Sequence, residues 1–411
     1  MKELPKPPGL VGEICEWIDA TARKKQPLLS LAATLSYCGA LMGRKVQTEW
    51  DLRTNLYTMG VAPSCSGKEH ARTQLNKLTT EAGWQDLIGG EDVTSDAAIE
   101  MELHQFKTIF YLWDEIGHMM GNIKASGGAG HTAKIVPMLM KMYTSANKTY
   151  GGKSYANREE GKRKIDQPHC CVYGTTVPGR LFDGMDSAEL LDGWLGRVLV
   201  FRTDDADPPT NWEYSKTRAV PQNLAKQVKW WANYQPALDT SRGDIVAATS
   251  TQPTVVPMTP DAVEFFKAMD AMATDERKQA RAEGFGVDNL WGRTVENAQK
   301  VAMIIACGKG EPFIIDEECA ECAGQIIISI TQAFIKDIRD NVGDNDNDRN
   351  RKKVLKVIAK CGEYGLSKSD LTRKTQWLNK QTRTNLVDEL LDAEMIAACE
   401  MHDGKQGYLA L

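Results

Sequence analysis

The sequence predicts an α/β protein: a mostly parallel sheet covered by helices on both faces, with helical segments before and after it and a small winged-helix unit at the C-terminus. Three observations predict it. Short apolar runs alternate with helix-like segments up to about residue 203, as a sheet built from strand–helix units requires. After residue 259 the pattern turns helical. Residues 351–411 read as three short helices and a hairpin.

The elements follow in order. Residues 8–43 carry Ile14, Trp17, Ile18, Leu28, Leu29, Leu31 and Leu35 on recurring faces, a helical pattern. Residues 45–49 form a short strand. Asn55–Val61 is a buried strand, and Lys68–Ala82 the helix after it. Thr94–His104 is helical. Thr108–Trp113 (TIFYLW) is β-branched and aromatic between charged residues, hence a strand. The glycine-rich loop ASGGAG (125–130) precedes a helix over Thr132–Ser145. His169–Tyr173 and Val198–Arg202 are short strands, and the Pro- and Asp-rich stretch 204–222 is loop. Thr259 and Pro260 supply an N-cap and a first helical residue for a helix over 260–283. Helices at 291–306 and 316–341 follow, and the polar GDNDNDRN (343–350) is a linker. The expected domains are a helical region at 1–50, a core at 51–258, a helical region at 259–342 packed on that core, and, after the linker, the winged-helix unit at 351–411.

The informative stretch is LYTMGVAPSCSGKEHARTQL: an apolar run, a turn of small residues ending in Gly-Lys, then a helix. That is the layout of a phosphate-binding loop (P-loop), G-x-x-x-x-G-K-[ST], in which backbone N–H groups and a helix N-terminus cradle phosphates. The loop residues are Ala62, Pro63, Ser64, Cys65, Ser66, Gly67, Lys68, Glu69 and His70. Lys68 supplies the cation for the β- and γ-phosphates of ATP. Two positions depart from the pattern: Ala62 stands for the first Gly, and Glu69 for the Ser or Thr that holds Mg²⁺. The Glu69 carboxylate is a hard oxygen able to bind Mg²⁺, but it brings negative charge close to the phosphates.

A second signal adds weight. The strand FYLW ends in Asp114 and Glu115. Beside such a loop, the first acid holds Mg²⁺ and the second polarises the attacking water. Either feature alone has an ordinary explanation, as a chance turn or a solvated strand end; the two in this order are far less common. In CCVYGTTVPGRLF (170–182), Thr175 or Thr176 falls at the strand end, where it senses the γ-phosphate or caps the following helix; Thr176 is the candidate taken forward. In DGWLGRVLVFR (192–202), Arg197 is the candidate for an arginine inserted into a neighbouring subunit's site, with Arg180, Arg202 and Arg293 as alternates.

In the C-terminal unit, Arg351–Cys361, Ser367–Lys374 and Lys380–Glu394 are the helices, and MIAACEM and GYLAL the hairpin strands. The third helix opens with Lys380, Gln381, Thr382, Arg383 and Asn385, which suit phosphates or base edges, and Lys405 sits at the wing tip. Residues 349–384 hold eleven Lys and Arg against Glu363 and Asp370. Lys380, Arg383 and Lys405 are the expected DNA contacts; a wing used for subunit contact is the alternative.

Bulk properties exclude several classes. The chain has 411 residues, 42% hydrophobic and 26% charged, with a net charge of −5, so it is no basic nucleic-acid coat as a whole. No apolar run approaches the ~18 residues of a membrane span. MKELPKPPGL lacks the apolar core of a secretory signal, so a cytoplasmic location is expected. The ten cysteines are scattered; Cys319 and Cys322 form a lone C-x-x-C in a helical setting, without the second pair or His that zinc needs.

The runs PPGLVGEICEWIDA, RTNLYTMGVAPSCSGKEHAR, YLWDEIGHMM, YGTTVPGRLF and DGWLGRVLVF, with LWGRTVENAQKVAMIIACG (290–308), resemble a family of P-loop ATPases encoded by phages, prophages and plasmids and linked to primase or helicase modules. The resemblance covers about residues 5–340. It implies a RecA-like or related ring ATPase core, a hexameric ring, single-stranded or forked DNA as substrate, a primase or polymerase partner, and the host cytoplasm. The expected function is an ATP-driven helicase or translocase. A DNA-binding scaffold or helicase-loader-like protein with little turnover is the alternative, and a packaging or partition ATPase a third reading. No nuclease-like cluster of acids follows the core, which counts against packaging.

Overall fold

The computed structural model describes residues 4–117, 134–153, 163–183, 193–214, 219–236, 252–283, 286–342, 346–401 and 404–411. Two compact units emerge, one ending at Ile335 and the other running from Lys336 to Leu411. The expected loop at 125–130 lies outside the described residues.

The first unit is mixed α/β. Its strands are β1 (Val46–Thr48), β2 (Tyr57–Val61), β3 (Thr108–Trp113), β4 (Thr149–Tyr150), β5 (Ile165–Asp166), β6 (His169–Thr176), β7 (Val198–Arg202) and β8 (Thr254–Val256). The central sheet has the order β3-β6-β2-β7. All three pairings are parallel, with Val61 opposite both Thr176 and Arg202, and Trp113 opposite Gly174. Every residue of β2 and β6 is buried, as expected for strands covered on both faces. β3 and β7 keep their expected limits, and β6 runs on to Thr176.

The expected helical stretch 8–43 is two helices, Gly9–Thr21 and Pro27–Leu41. The break has a cause in the sequence: Pro27 has no N–H to donate and suits only the first turn of a helix. The second of these helices is buried along most of its length. Its hydroxyls tie it to the sheet, with Ser36 Oγ 2.6 Å from Thr58 Oγ1. β1 pairs in parallel with β8 across some two hundred intervening residues, Val46 opposite Thr254. Helices Pro260–Glu283, Thr294–Gly308 and Glu317–Asn341 follow. One hydrophobic core runs from Leu10 through Phe110 and Val301 to Ile330, so the segments 1–50, 51–258 and 259–342 all contribute to one interior.

The second unit holds helices Asp346–Ala359, Lys368–Lys374 and Lys380–Asp392 around Val354, Ile358, Leu371, Leu386 and Leu390. β9 (Leu366–Ser367), β10 (Ile396–Glu400) and β11 (Gln406–Ala410) form an antiparallel sheet in the order β10-β11-β9. Ser367 and Asn379 cap the last two helices by accepting from the amides of Asp370 and Thr382. The expected linker 343–350 is shorter than its composition suggested, because the first helix begins at Asp346. Asp348, in its first turn, pairs with Arg351 at 2.7 Å and Lys352 at 3.4 Å, which supports helix where polarity alone suggested coil. Among the described residues no helix is long and apolar enough to cross a membrane.

Candidate functional site

Because β2, β3, β6 and β7 are parallel, their carboxyl ends share one edge of the sheet. The loop 62–70 leaves β2 there. Ala62 continues the ladder by donating its N–H to Thr176 O at 3.2 Å and is fully buried. The left-handed residues of the loop are Cys65 (φ 61°) and Gly67 (φ 92°), not Ala62. Ala in place of the first Gly therefore costs the backbone no forbidden angle. Gly67 has a second constraint: a Cβ there would lie 2.9 Å from Lys24 O.

Side chains from between the first two helices fix the loop. Lys24 Nζ donates to Cys65 O at 3.0 Å, and Gln26 Nε2 to Ser66 O at 3.1 Å. Ser66 Oγ, on a buried residue, closes the turn onto Pro63 O at 2.7 Å. Ser64, Cys65 and Glu69 are exposed. The amides of residues 64–69 find no hydrogen-bond partner among the described residues, which leaves a row of donors at the head of helix His70–Glu81. His70, expected to face a nucleotide, has its Nε2 3.0 Å from Thr21 Oγ1.

Asp114 and Glu115 follow β3 on the same edge, with β6 between them and β2. Two strand spacings separate the loop strand from the acid strand, roughly 9–10 Å. Lys68 spans that gap: its Nζ forms an ion pair with Glu115 Oε1. Glu115 sits at φ 46°, a left-handed backbone that a non-glycine residue adopts only under constraint. Asp114 Oδ1 accepts from Thr175 Oγ1 at 2.8 Å and from the Glu115 amide at 3.0 Å, and its Oδ2 pairs with Arg72 Nη2 at 2.8 Å. Burial alone would raise the pKa of this carboxyl. The Thr175 bond, the Arg72 charge, the amide and Lys68 outweigh it, and the net shift is downward. Asp114 is held as an anion.

Neighbouring strand residues point to opposite faces, so Thr175 and Thr176 cannot share a role. Thr175 reaches Asp114; Thr176, the residue taken forward from the sequence, does not. Its Oγ1 is buried without a partner among the described residues, in a space so close to Gly117 that a Cβ there would lie 2.3 Å from it.

The arginines divide between the two edges of the sheet. Arg197 precedes β7, so it stands at the amino edge, about 16 Å from the loop for a strand of this length. Its Nη1 donates to Gly193 O at 2.6 Å, and its guanidinium lies 6.0 Å from the centre of the Tyr143 ring. Arg293, 5.5 Å from the same ring, pairs with Glu296. Arg202 ends β7 at the carboxyl edge and pairs with Asp204 at 2.5 Å. Arg180, exposed on the short helix after β6, is at that edge too.

A cleft of about 700 Å³ runs along the helix His70–Glu81 beside these acids, lined by Arg72, Asn76, Lys77, Glu91, Leu112 and Asp114. Lys68 instead lines a crevice of about 10 Å³ with Gly67 and Lys24, too small for a nucleotide. Arg72, Lys24 and Gln26 escaped the sequence reading. Arg72 had one signal, its position four residues after Lys68 at a helical spacing.

Asp114 suits a hard cation: it is anionic, and its side chain is half exposed. Glu69 is exposed at the loop mouth. Among the described residues no group of three or more His, Cys, Asp or Glu could hold a metal, so an ion here needs ligands from elsewhere, such as phosphate oxygens. In the second unit Lys380 and Lys405 are exposed. Arg383 is committed internally: it donates to Thr375 Oγ1 at 2.8 Å, Thr375 O at 3.1 Å and Leu378 O at 2.8 Å. The sequence took it for a DNA contact, but its guanidinium locks the turn before its own helix. In comparisons with known proteins, no protein-family model matches the chain and no curated protein matches it.

Proposed function

We propose that the carboxyl edge of the central sheet is an ATP-hydrolysing site and that the chain is a P-loop ATPase working on DNA as an oligomer, as a helicase or translocase. One observation carries the reading. The cation of the Gly-Lys turn and the acids after β3 meet at a single sheet edge, beside unpartnered loop amides. The strand inserted between them sets loop and acids two strand spacings apart, so that a phosphate displacing the Lys68–Glu115 pair would lie between donors on one side and carboxylates on the other. Ligands of open α/β sheets bind outside the carboxyl ends of the strands, which favours the same edge.

In this reading Lys68 leaves Glu115 and binds the terminal phosphates together with the amides of residues 64–69. Glu115, released, orients the attacking water and accepts its proton. Thr175 and Arg72 hold Asp114 ionised and in place. Mg²⁺, when bound, would neutralise charge developing on the phosphates, with Asp114 and the exposed Glu69 as the protein's carboxylates for it. Arg197, at the opposite edge, can serve only a neighbouring subunit; Arg180 and Arg202 are the arginines near the chain's own loop. The second unit, with three helices and a small antiparallel sheet, has the element order of a winged helix, and its basic excess suits DNA.

The closed Lys68–Glu115 pair and Glu69 in place of Ser or Thr also favour a second reading, a nucleotide-binding scaffold with little turnover. ATP turnover with and without single-stranded DNA separates the two, measured on the wild type, Lys68→Ala and Glu115→Gln. The ATPase reading expects DNA-stimulated turnover that both substitutions reduce at least about 100-fold, the scale of removing a catalytic base. Background turnover in all three proteins would leave the scaffold.

A further inference from the structure

The second unit carries a groove that the reading above does not use. It has a volume of about 330 Å³ and is lined by Lys353, Lys356, Val357, Lys360 and Trp377. The three lysines are exposed and spaced three and four apart, so the first two lie on one face of helix Asp346–Ala359 and Lys360 continues that face just past its end. Trp377 closes the other side. It is 52% exposed, although tryptophan is among the side chains that gain most from burial.

The turn that presents Trp377 is held firmly. Thr375 Oγ1 donates to Leu371 O at 2.6 Å, and the Leu378 amide to Thr375 O at 3.0 Å. Leu378 is buried, and the three bonds from Arg383 grip the turn on both sides of the indole. An exposed indole on a braced turn is a platform whose placement need not be organised on binding. The surrounding charge is one-sided. Arg351 and Lys352 are neutralised by Asp348, and Arg373 by Asp370. Lys356 and Lys360 form no ion pair among the described residues. Lys374 extends the basic rim, its Nζ 3.8 Å from Cys361 Sγ, next to Lys360.

We infer that this groove binds single-stranded nucleic acid, with a base stacked on Trp377 and the phosphates of adjacent nucleotides on Lys356, Lys360 and Lys353. Aromatic faces take any base, and lysines along a groove track the backbone, so the chemistry is that of sequence-tolerant single-strand binding. A duplex keeps its bases stacked on each other and offers Trp377 no face. The site is separate from the helix start at Lys380 and does not depend on the ATPase reading.

The test uses the full chain without nucleotide. Fluorescence anisotropy follows binding of labelled oligothymidylate and oligouridylate of about 20 nucleotides, and of a duplex of equal length. Trp377→Ala should weaken single-strand binding about 5- to 150-fold, the scale of one lost stacking contact, and Trp377→Phe should retain affinity within about threefold because it keeps a π-face. Lys356→Gln with Lys360→Gln should lower the slope of log affinity against log salt by about 1.4, for two phosphate contacts. Near-wild-type circular dichroism accompanies each variant, and Trp377→Phe guards against a folding effect of the alanine. A preference for one oligonucleotide supports the groove and identifies DNA or RNA as its ligand. The inference is overturned if neither single strand binds, if Trp377→Ala binds as the wild type does, which would leave the groove to a protein partner, or if the duplex binds more tightly and loses as much with Trp377→Ala.

Discussion

Replacing His169 by glutamine should remove a defined share of the protein's acid sensitivity. His169 opens β6, the strand that carries Thr175 near its far end, and is fully buried. Its Nε2 lies 3.1 Å from Gly39 O. A carbonyl can only accept, so Nε2 carries the hydrogen and Nδ1 is the bare nitrogen; Nδ1 has no partner among the described residues. Gly43 packs so closely that a Cβ there would lie 2.4 Å from the ring. Protonating Nδ1 would bury a charge with nothing to accept its hydrogen. Burial, reinforced by Arg53, Lys300 and Arg44 against the opposing Gly39 bond, lowers the pKa from 6.5 to about 3. The folded state thus refuses a proton that the unfolded chain takes up below pH 6.5. The contribution is fully present above that pH and is lost as pH falls towards 3. The loss is about 2 kcal/mol between pH 7 and pH 5, and about 5 kcal/mol once both states are protonated. Glutamine can still donate to Gly39 O but does not titrate. Urea unfolding at pH 7 and pH 5 should show the wild type losing about 2 kcal/mol more than His169→Gln. Equal losses in the two proteins would refute a neutral, proton-refusing His169.

Two further substitutions probe the site and the second unit. Thr175→Val removes the hydroxyl that holds Asp114 while nearly preserving shape; it should lower ATP turnover about 10- to 100-fold, the worth of a hydrogen bond to a charged group, measured beside Thr176→Val, which should change turnover far less. Arg383→Ala should lower the unfolding free energy of the second unit by about 1–3 kcal/mol in urea titrations, because it releases three hydrogen bonds of the Thr375–Leu378 turn, whereas a residue serving only as a DNA contact would leave stability unchanged.

Much of the fold was legible where local chemistry decides it. TIFYLW and VLVFR are apolar, β-branched runs between polar residues, and their strands begin and end where the sequence suggests. Thr259 and Pro260 mark the start of the helix Pro260–Glu283 just as plainly. The break at Pro27 was also written in the sequence, but the apolar faces on either side masked it. What could not be read is what depends on distant partners. The pairing of Val46–Thr48 with Thr254–Val256 needs a register set by the folded core, and Leu366–Ser367 is too short to carry a pattern. In the candidate site, Gly67, Lys68, Asp114 and Glu115 follow a spacing rule and were legible as candidates, and the structure brings Lys68 and Glu115 together. Lys24, Gln26 and Arg72 act through contacts made only once the helices pack, and so were not. Thr176 was preferred to its neighbour because the sequence does not fix which strand face meets the acids.

The paired state of the edge bears on how such a site would open. Lys68 and Glu115 side chains are 11% and 35% exposed, and Arg72 and Asp114 20% and 50%. Ion pairs this close to solvent contribute on the order of 1 kcal/mol each, because water and salt screen them and ordering two long side chains costs entropy. A triphosphate would offer Lys68 more charge than one carboxylate does, and it would also engage amides of residues 64–69 that have no partner among the described residues. Each charge-assisted hydrogen bond so formed is worth roughly 1.5–3 kcal/mol. The exchange therefore runs towards the ligand, and it does two things at once. In the proposed ATPase it would give the phosphates a cation, and it would free Glu115, the proposed acceptor of the attacking water's proton, only when phosphate is there to be attacked. On that reading, a proton acceptor masked by the lysine that binds the substrate's phosphates would couple readiness for chemistry to occupancy.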